Sequence, residues 1–138
     1  MKTSLSRRDY DCIESVFSLT SGGWPARVKD VAGRMQVSPP TAVEFLEKLK
    51  DMLLVEKGPS GYRLSKKGEA CLNKATRTHR IMETLLVRNG LPLELACRVS
   101  SSLNATMTED DLEKLCANMQ HPETCPHGRP IPVGAKHV

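Results

Sequence analysis

Aromatic side chains are scarce: the 138-residue chain has one Trp, two Tyr and two Phe. That is too few to line a groove in which successive bases of a single strand stack. Long apolar runs are missing too. The longest uncharged apolar stretch falls far short of the ~20 residues that span a bilayer. The start, Met1-Lys2-Thr3-Ser4, leads straight into Arg7, Arg8 and Asp9, so neither a secretion signal nor a membrane anchor is expected, and a cytoplasmic protein is. The five cysteines (Cys12, Cys71, Cys97, Cys116 and Cys125) are odd in number and scattered. They read as thiols or metal ligands, not as a disulfide framework. No glycine-rich phosphate loop occurs, because Gly22-Gly23 precedes Trp24 without the Lys-Ser/Thr of a nucleotide site. His79 and Cys97 could pair as nucleophile and base, but no oxyanion hole or substrate pocket is indicated, so no enzyme is expected.

What is present is enough apolar content for a packed core, 39%, and an uneven charge. Residues 1–92 carry 16 Lys/Arg against 10 Asp/Glu, net +6, whereas residues 93–138 carry 4 against 6, net −2. A basic front and a mildly acidic rear suggest a polyanion-binding module followed by something else.

Periodicity predicts a helix over 6–19, with Tyr10, Ile13, Val16, Phe17 and Leu19 on one stripe, Ser4 or Ser6 as cap and Gly22-Gly23 as stop. A second helix over 29–35 follows, then the turn Gln36-Val37-Ser38. Ser38-Pro39 opens a third helix running to Met52, which buries Ala42, Val43, Leu46 and Leu49. Residues 53–64 read as two short strands around Gly58-Pro59-Ser60-Gly61. Ser65 caps a long helix over 66–89, closed by Gly90. Further helices are expected over 93–103 and after Thr108, which with Asp111 forms a capping-box pattern. From His121 onward the chain is proline-rich and reads as a fixed loop or strap.

Helix, tight turn, helix and hairpin, in that order, describe a winged helix-turn-helix. Ala32 lets the two helices cross closely and Val37 plugs the turn. The recognition helix would present Ser38, Pro39, Pro40, Thr41 and Glu44 to base edges. Arg27, Lys29, Lys48 and Lys50 flank it, and Arg63, Lys66 and Lys67 lie in or beside the wing, where they would grip phosphate. The alternative is a protein-interaction winged helix with a solvated charged face.

Several segments then resemble one family. Arg27-Val28-Lys29-Asp30-Val31-Ala32, Ser38-Pro39-Pro40-Thr41-Ala42, Tyr62-Arg63-Leu64-Ser65-Lys66-Lys67-Gly68, His79-Arg80-Ile81-Met82-Glu83 and Cys125-Pro126-His127-Gly128-Arg129-Pro130-Ile131-Pro132 look like the iron- and manganese-dependent repressors of the DtxR/MntR type. The likeness covers about residues 5–133. It implies a mostly α protein in which residues 1–68 form a DNA-binding winged helix. Residues 69–138 then form a helical dimerisation and metal-binding domain with a proline-rich strap, and no SH3-like third domain is expected. It also implies a homodimer on palindromic double-stranded DNA that represses when metal is plentiful. Metal between the first helix and the dimer domain would fix the recognition helices for half-sites ~34 Å apart, or a multiple. Ile81, Met82, Leu85, Leu86 and Val99 are candidates for the core or the dimer seam.

The metal ligands can be carried over position by position. Asp11 and Glu14, three apart on one helix face, align with two carboxylate ligands of manganese sensors. His79 and Glu83 match the His-x-x-x-Glu pair, and Cys97 stands where iron sensors carry cysteine. The family's next ligands are replaced, since Leu93, Ser100 and Ser101 occupy their places here. Three readings follow. A rearranged site uses Asp11, Glu14, His79, Glu83 and Cys97 for Mn²⁺ or Fe²⁺, with Zn²⁺ also conceivable. Alternatively these residues are structural, leaving a homologue that binds DNA without metal control. A third reading moves zinc to His121, Cys125 and His127, with Cys116 nearby; against it, the same segment reads as a strap packed on the helices.

Overall fold

The computed structural model describes residues 5–103 and 107–134. The chain divides into two compact units, Met1–Leu72 and Asn73–Val138.

The first unit opens with α1 (Arg7–Thr20). Ser4 lies outside the described residues, and Ser6 caps the helix. Its hydroxyl accepts the Asp9 amide at 3.1 Å and the Asp9 carboxylate accepts the Ser6 amide at 2.7 Å, a reciprocal box that satisfies two otherwise orphaned donors. Cys12, Ile13 and Val16 are buried. Phe17, expected on the same stripe, is 50% exposed: it sits at the stripe's outer edge, one step of about 100° beyond Val16.

The next helix, α2 (Val28–Met35), ends at Gln36, whose φ of 56° is left-handed. This residue makes the tight turn, Val37 packs against the core behind it, and Ser38 caps α3 (Pro39–Asp51). Proline at the first helical position loses no hydrogen bond there. Ala42, Leu46 and Leu49 are buried at helical spacing. Val43, expected inside, is 37% exposed, because a residue one step round from Ala42 leaves the buried stripe.

Strands β1 (Val55–Gly58) and β2 (Gly61–Leu64) pair antiparallel, from Val55 with Leu64 to Gly58 with Gly61. Val55 and Tyr62 turn inward while Glu56, Lys57 and Arg63 face solvent. Ala26 and Tyr62 exchange both backbone hydrogen bonds at 2.8 Å, tying the hairpin to the segment before α2.

Helix α4 (Lys66–Arg88) is capped by Ser65, whose hydroxyl accepts the Gly68 amide at 3.0 Å. Gly68 is required by clearance: a Cβ there would lie 2.0 Å from the Leu54 carbonyl oxygen. The division between the units falls within this helix.

In the second unit α4 continues, followed by α5 (Leu93–Ser100), α6 (Glu109–Asn118) and the proline-rich strap. Thr108 caps α6 by accepting the Asp111 amide at 3.1 Å. Ile81, Leu112, Cys116 and Met119 form the core, with Leu85, Leu115 and Ile131 against it. Ile81 is thus interior, whereas Val99 on α5 is 37% exposed. Arg77, almost wholly buried, spans from α4 to Glu109 and Glu113 at 3.4 and 3.1 Å. The strap folds back on itself. Cys125 and Thr124 face Arg129 and Pro130, with Gly128 N donating to Cys125 O at 2.8 Å and Cys125 N to Arg129 O at 2.9 Å. Proline at the second place of this turn and a left-handed glycine (φ 79°) at its end suit the geometry.

Candidate nucleic-acid interface and metal centre

On the first unit, Ser38, Pro39, Pro40 and Glu44 are exposed at the start of α3, and Thr41 is half-buried. The Ser38 and Thr41 hydroxyls lie 2.9 Å apart, which fixes both at the helix N-terminus. Arg27, Lys29, Arg63 and Lys66 are exposed and stand as phosphate-gripping charges. Lys48 is placed differently from the other flanking cations. Its ammonium meets Asp9 of α1 at 2.6 Å, so it braces α3 against α1. Lys50 is held by Glu47 at 2.7 Å.

Two carboxylates organise this surface. Burial pushes the Asp9 carboxyl up, but hydrogen bonds from Lys48 and Ser6 outweigh it and hold it below its ordinary value. Its other oxygen, Oδ1, is buried without a hydrogen-bond partner among the described residues. Glu47 accepts the Tyr62 hydroxyl at 2.9 Å and stands 3.9 Å from Lys57, which lies over the Tyr62 ring. Burial first, and the Glu47 contact second, raise the Tyr62 hydroxyl to about 12. Glu47 therefore joins the recognition helix to the wing.

Asp11 and Glu14 belong to this unit and face arginines: Asp11 meets Arg8 at 3.0 Å, and Glu14 meets Arg34 at 3.4 Å and Ser18 at 2.8 Å. Both sit in partly solvated surface pairs.

In the second unit, the chemistry gathers around Glu83, whose side chain is 1% exposed on α4. Its Oε2 lies 3.1 Å from His79 Nε2, one turn earlier, and its Oε1 lies 2.7 Å from His127 Nδ1 on the strap. Cys97 on α5 brings its sulfur to 3.6 Å from the same His79 nitrogen. Two donor groups result, His79–Glu83–Cys97 and Glu83–Cys125–His127, each with its ligand atoms within 4.8 Å of one another. They share Glu83 and border one cavity of about 200 Å³. The rim includes Arg80, which donates to the Pro130 carbonyl and so pins the strap to α4.

The donor chemistry fits a metal ion. The Ser101 hydroxyl lies 3.0 Å from the Cys97 carbonyl and 3.4 Å from His79 Nδ1. With its proton on Nδ1 toward Ser101, the ring would turn its Nε2 lone pair to the carboxylate oxygen and the sulfur, as a ligating imidazole requires. A bound cation relieves that convergence of lone pairs, and a second hydrogen bond on the far nitrogen is the usual way a ligating imidazole is oriented.

The tail donors are thus divided. Cys125 and His127 join Glu83, while His121 Nδ1 lies 3.5 Å from Cys116 Sγ, on a separate and larger cavity of about 610 Å³. The strap packs on the helices and delivers donors at once, which the sequence reading had treated as alternatives. Asp9 is the residue that reading missed; Lys48 was expected on phosphate, and Ser101 was read only as the replacement of a family ligand. The Ser6-x-x-Asp9 box was a visible signal for Asp9, whereas the contact of Ser101 with His79 has no short-range signal. Ser100 is fully buried and its hydroxyl has no partner among the described residues.

Comparison with known proteins agrees with this division. Residues 4–61 match the model described as iron dependent repressor, N-terminal DNA binding domain. Residues 65–133 match iron dependent repressor, metal binding and dimerisation domain. The transcriptional regulator MntR of Escherichia coli is 31% identical over 104 residues, covering 75% of this chain and 67% of that protein. The iron-dependent repressor IdeR of Mycobacterium tuberculosis is 32% identical over 123 residues, covering 87% of this chain but 53% of that protein. The chain therefore spans about half the length of that longer relative. Among solved structures, the hypothetical protein SSo2273 from Sulfolobus solfataricus superposes with a TM-score of 0.86 at 28% identity, covering 94% of this chain and 100% of that one. ScaR with bound Zn²⁺ gives 0.75 at 30% identity, covering 94% of this chain and 60% of that one. With both domain models matched in order along nearly its whole length, the chain belongs to the iron-dependent repressor family.

Proposed function

We propose that the protein is a metal-responsive, DNA-binding transcriptional repressor that acts as a homodimer on double-stranded DNA in the cytoplasm, and that it is a binding protein, not an enzyme. The observation that carries this reading is the convergence of His79, Glu83, Cys97, Cys125 and His127 in the unit that follows a winged helix. These five residues would hold the ion, which when bound supplies positive charge to the buried Glu83 and links α4, α5 and the strap. Exposed Arg27, Lys29, Ser38, Pro39, Pro40, Glu44 and Arg63 and half-buried Thr41 would contact the duplex, with Lys48 positioning the recognition helix. Leu95 and Val99, one helical turn apart on α5 and each 37% exposed, are suited to a dimer seam. None of the described helices is long and apolar enough to cross a membrane.

A second reading, DNA binding without metal control, is favoured by one observation: Leu93, Ser100 and Ser101 stand at family ligand positions. Binding to genomic DNA fragments, with saturating metal and with chelator, separates the two. Tighter binding with metal supports the proposal, and equal binding supports the second reading. Absence of binding in both states overturns the regulator assignment. Affinity should fall steeply with salt if phosphates are contacted.

A further inference from the structure

We infer that Arg8 and Arg34 stand in for a metal ion at Asp11 and Glu14. The first helix then carries its own counter-charges and is set on the helix-turn-helix without metal, so that metal acts on DNA binding through the second unit alone. The inference rests on the proposed reading of a metal-responsive DNA-binding regulator. It adds which acidic pair the metal leaves untouched and which residues position α1 instead.

Three observations carry it. First, every acid of α1 is matched by a cation of its own unit. Asp9 meets Lys48 at 2.6 Å, Asp11 meets Arg8 at 3.0 Å, and one Arg34 nitrogen lies 3.4 and 3.5 Å from the two Glu14 oxygens. A dication at Asp11 and Glu14 would have to displace both guanidinium groups and then sit beside them, against like charge. Leu93, Ser100 and Ser101, at the replaced family ligand positions, offer no charge to draw it there. Second, Arg8 reaches beyond Asp11. Its other terminal nitrogen donates to the Met35 carbonyl at 2.7 Å. That carbonyl ends α2, where the last acceptors lack helical partners and positive charge is favoured. The planar fork of arginine suits it to hold a carboxylate and a carbonyl at once. Third, Arg34 and Met35 are adjacent, so both links from α1 reach the last turn of α2. The left-handed Gln36 that turns the chain toward the recognition helix comes next. Cys12, Ile13 and Val16 supply the buried face of α1, and the two arginines fix where that face rests. Both pairs are about half-exposed and weak singly, so their effect belongs in the local order of α1, not in global unfolding.

Hydrogen exchange on the metal-free full chain tests the positioning role. Glu14→Arg and Arg34→Glu each bring like charges together, and the double variant restores the pair with its ends reversed at unchanged net charge. Exchange of the α1 amides should rise about fivefold in each single variant and return to within about twofold of wild type in the double. The α6 amides, as a folding control, should stay constant. Calorimetry with Mn²⁺ and with Zn²⁺ on the Asp11→Asn/Glu14→Gln variant tests the metal. Its affinities should match wild type within about twofold, as for sites that do not couple. Metal should also change its DNA affinity by the same factor as in wild type.

Single variants with unchanged α1 exchange overturn the inference, as does a double variant that stays fast. Metal binding weakened by about tenfold or more in Asp11→Asn/Glu14→Gln also overturns it, because the carboxylates are then ligands. So does a metal response lost in that variant. The regulator reading survives each of these results. Wild type that binds DNA in neither metal state overturns the regulator reading, and wild type that binds neither ion overturns metal control. In both cases the exchange cycle still decides the role of the arginines.

Discussion

Each unit buries one carboxylate almost completely, Asp9 in the first and Glu83 in the second, and the two are neutralised in opposite ways. Asp9 is met by the ammonium of Lys48 at 2.6 Å, a cation that belongs to the chain and cannot leave. Glu83 is met by two imidazoles at 3.1 and 2.7 Å, bases that carry a proton only conditionally and can equally serve as ligands. An unpaired buried carboxylate costs several kcal/mol, so both sites need positive charge. The first supplies it permanently and holds α1 to α3. Under the proposed reading the second leaves it to a bound ion, which is what a sensor requires.

The contrast can be broken or sharpened by experiment. Glu83→Gln should weaken metal binding by more than about 100-fold, as loss of a ligand common to both donor groups. Without metal, its thermal midpoint should hold steady or rise, because a buried charge has gone. If calorimetry shows undiminished metal affinity, the contrast fails. Lys48→Met should do the reverse. Metal binding should be kept while the first unit loses about 2–3 kcal/mol, near the lower end for a broken buried pair since the lysine is part-solvated; urea unfolding measures this.

The acid limb gives a third, smaller effect. The Asp9 carboxyl lies below its ordinary value of 3.8 in the folded state. Its contribution to stability is therefore fully present well above that value and disappears as pH falls through the lowered folded one. Urea midpoints for the wild type should drop across that window, and Asp9→Asn, though less stable at neutral pH, should show a shallower drop. The smallest effect belongs to Glu47→Gln. Releasing Lys50 and Lys57 should steepen the salt dependence of DNA binding by up to about 2 in log–log slope, near 0.9 per phosphate engaged. Discrimination between preferred and random DNA should decline as the wing loses its anchor on α3. An unchanged slope would leave Glu47 a structural brace only.

These residues also show how far the sequence could be read. Local signals were reliable where the physics is local: the Ser38-Pro39 start, the turn before it and the hairpin around Pro59-Ser60 all lie where expected. Periodicity named apolar positions without saying which edge of a stripe a small domain covers, hence Phe17 and Val43 at the surface. The centre was half visible. His79 and Glu83 declare themselves by helical spacing, and Cys97 by its resemblance to a ligand position. That Cys125 and His127 reach the same carboxylate depends on the strap turning back more than 40 residues later, and no short-range pattern encodes that. Asp11 and Glu14 share a face as spacing predicted, but a shared exposed face serves arginine equally well.

Gly68 carries a lesson of a different sort. It touches no DNA-facing group named above and no metal donor, yet an alanine methyl there would press on the Leu54 oxygen at 2.0 Å. In a library of random variants screened for repression, this column would come back nearly monomorphic, as strictly kept as any ligand. A reader ranking positions by intolerance alone would place it at the active centre. Its intolerance would be reporting room between two stretches of main chain.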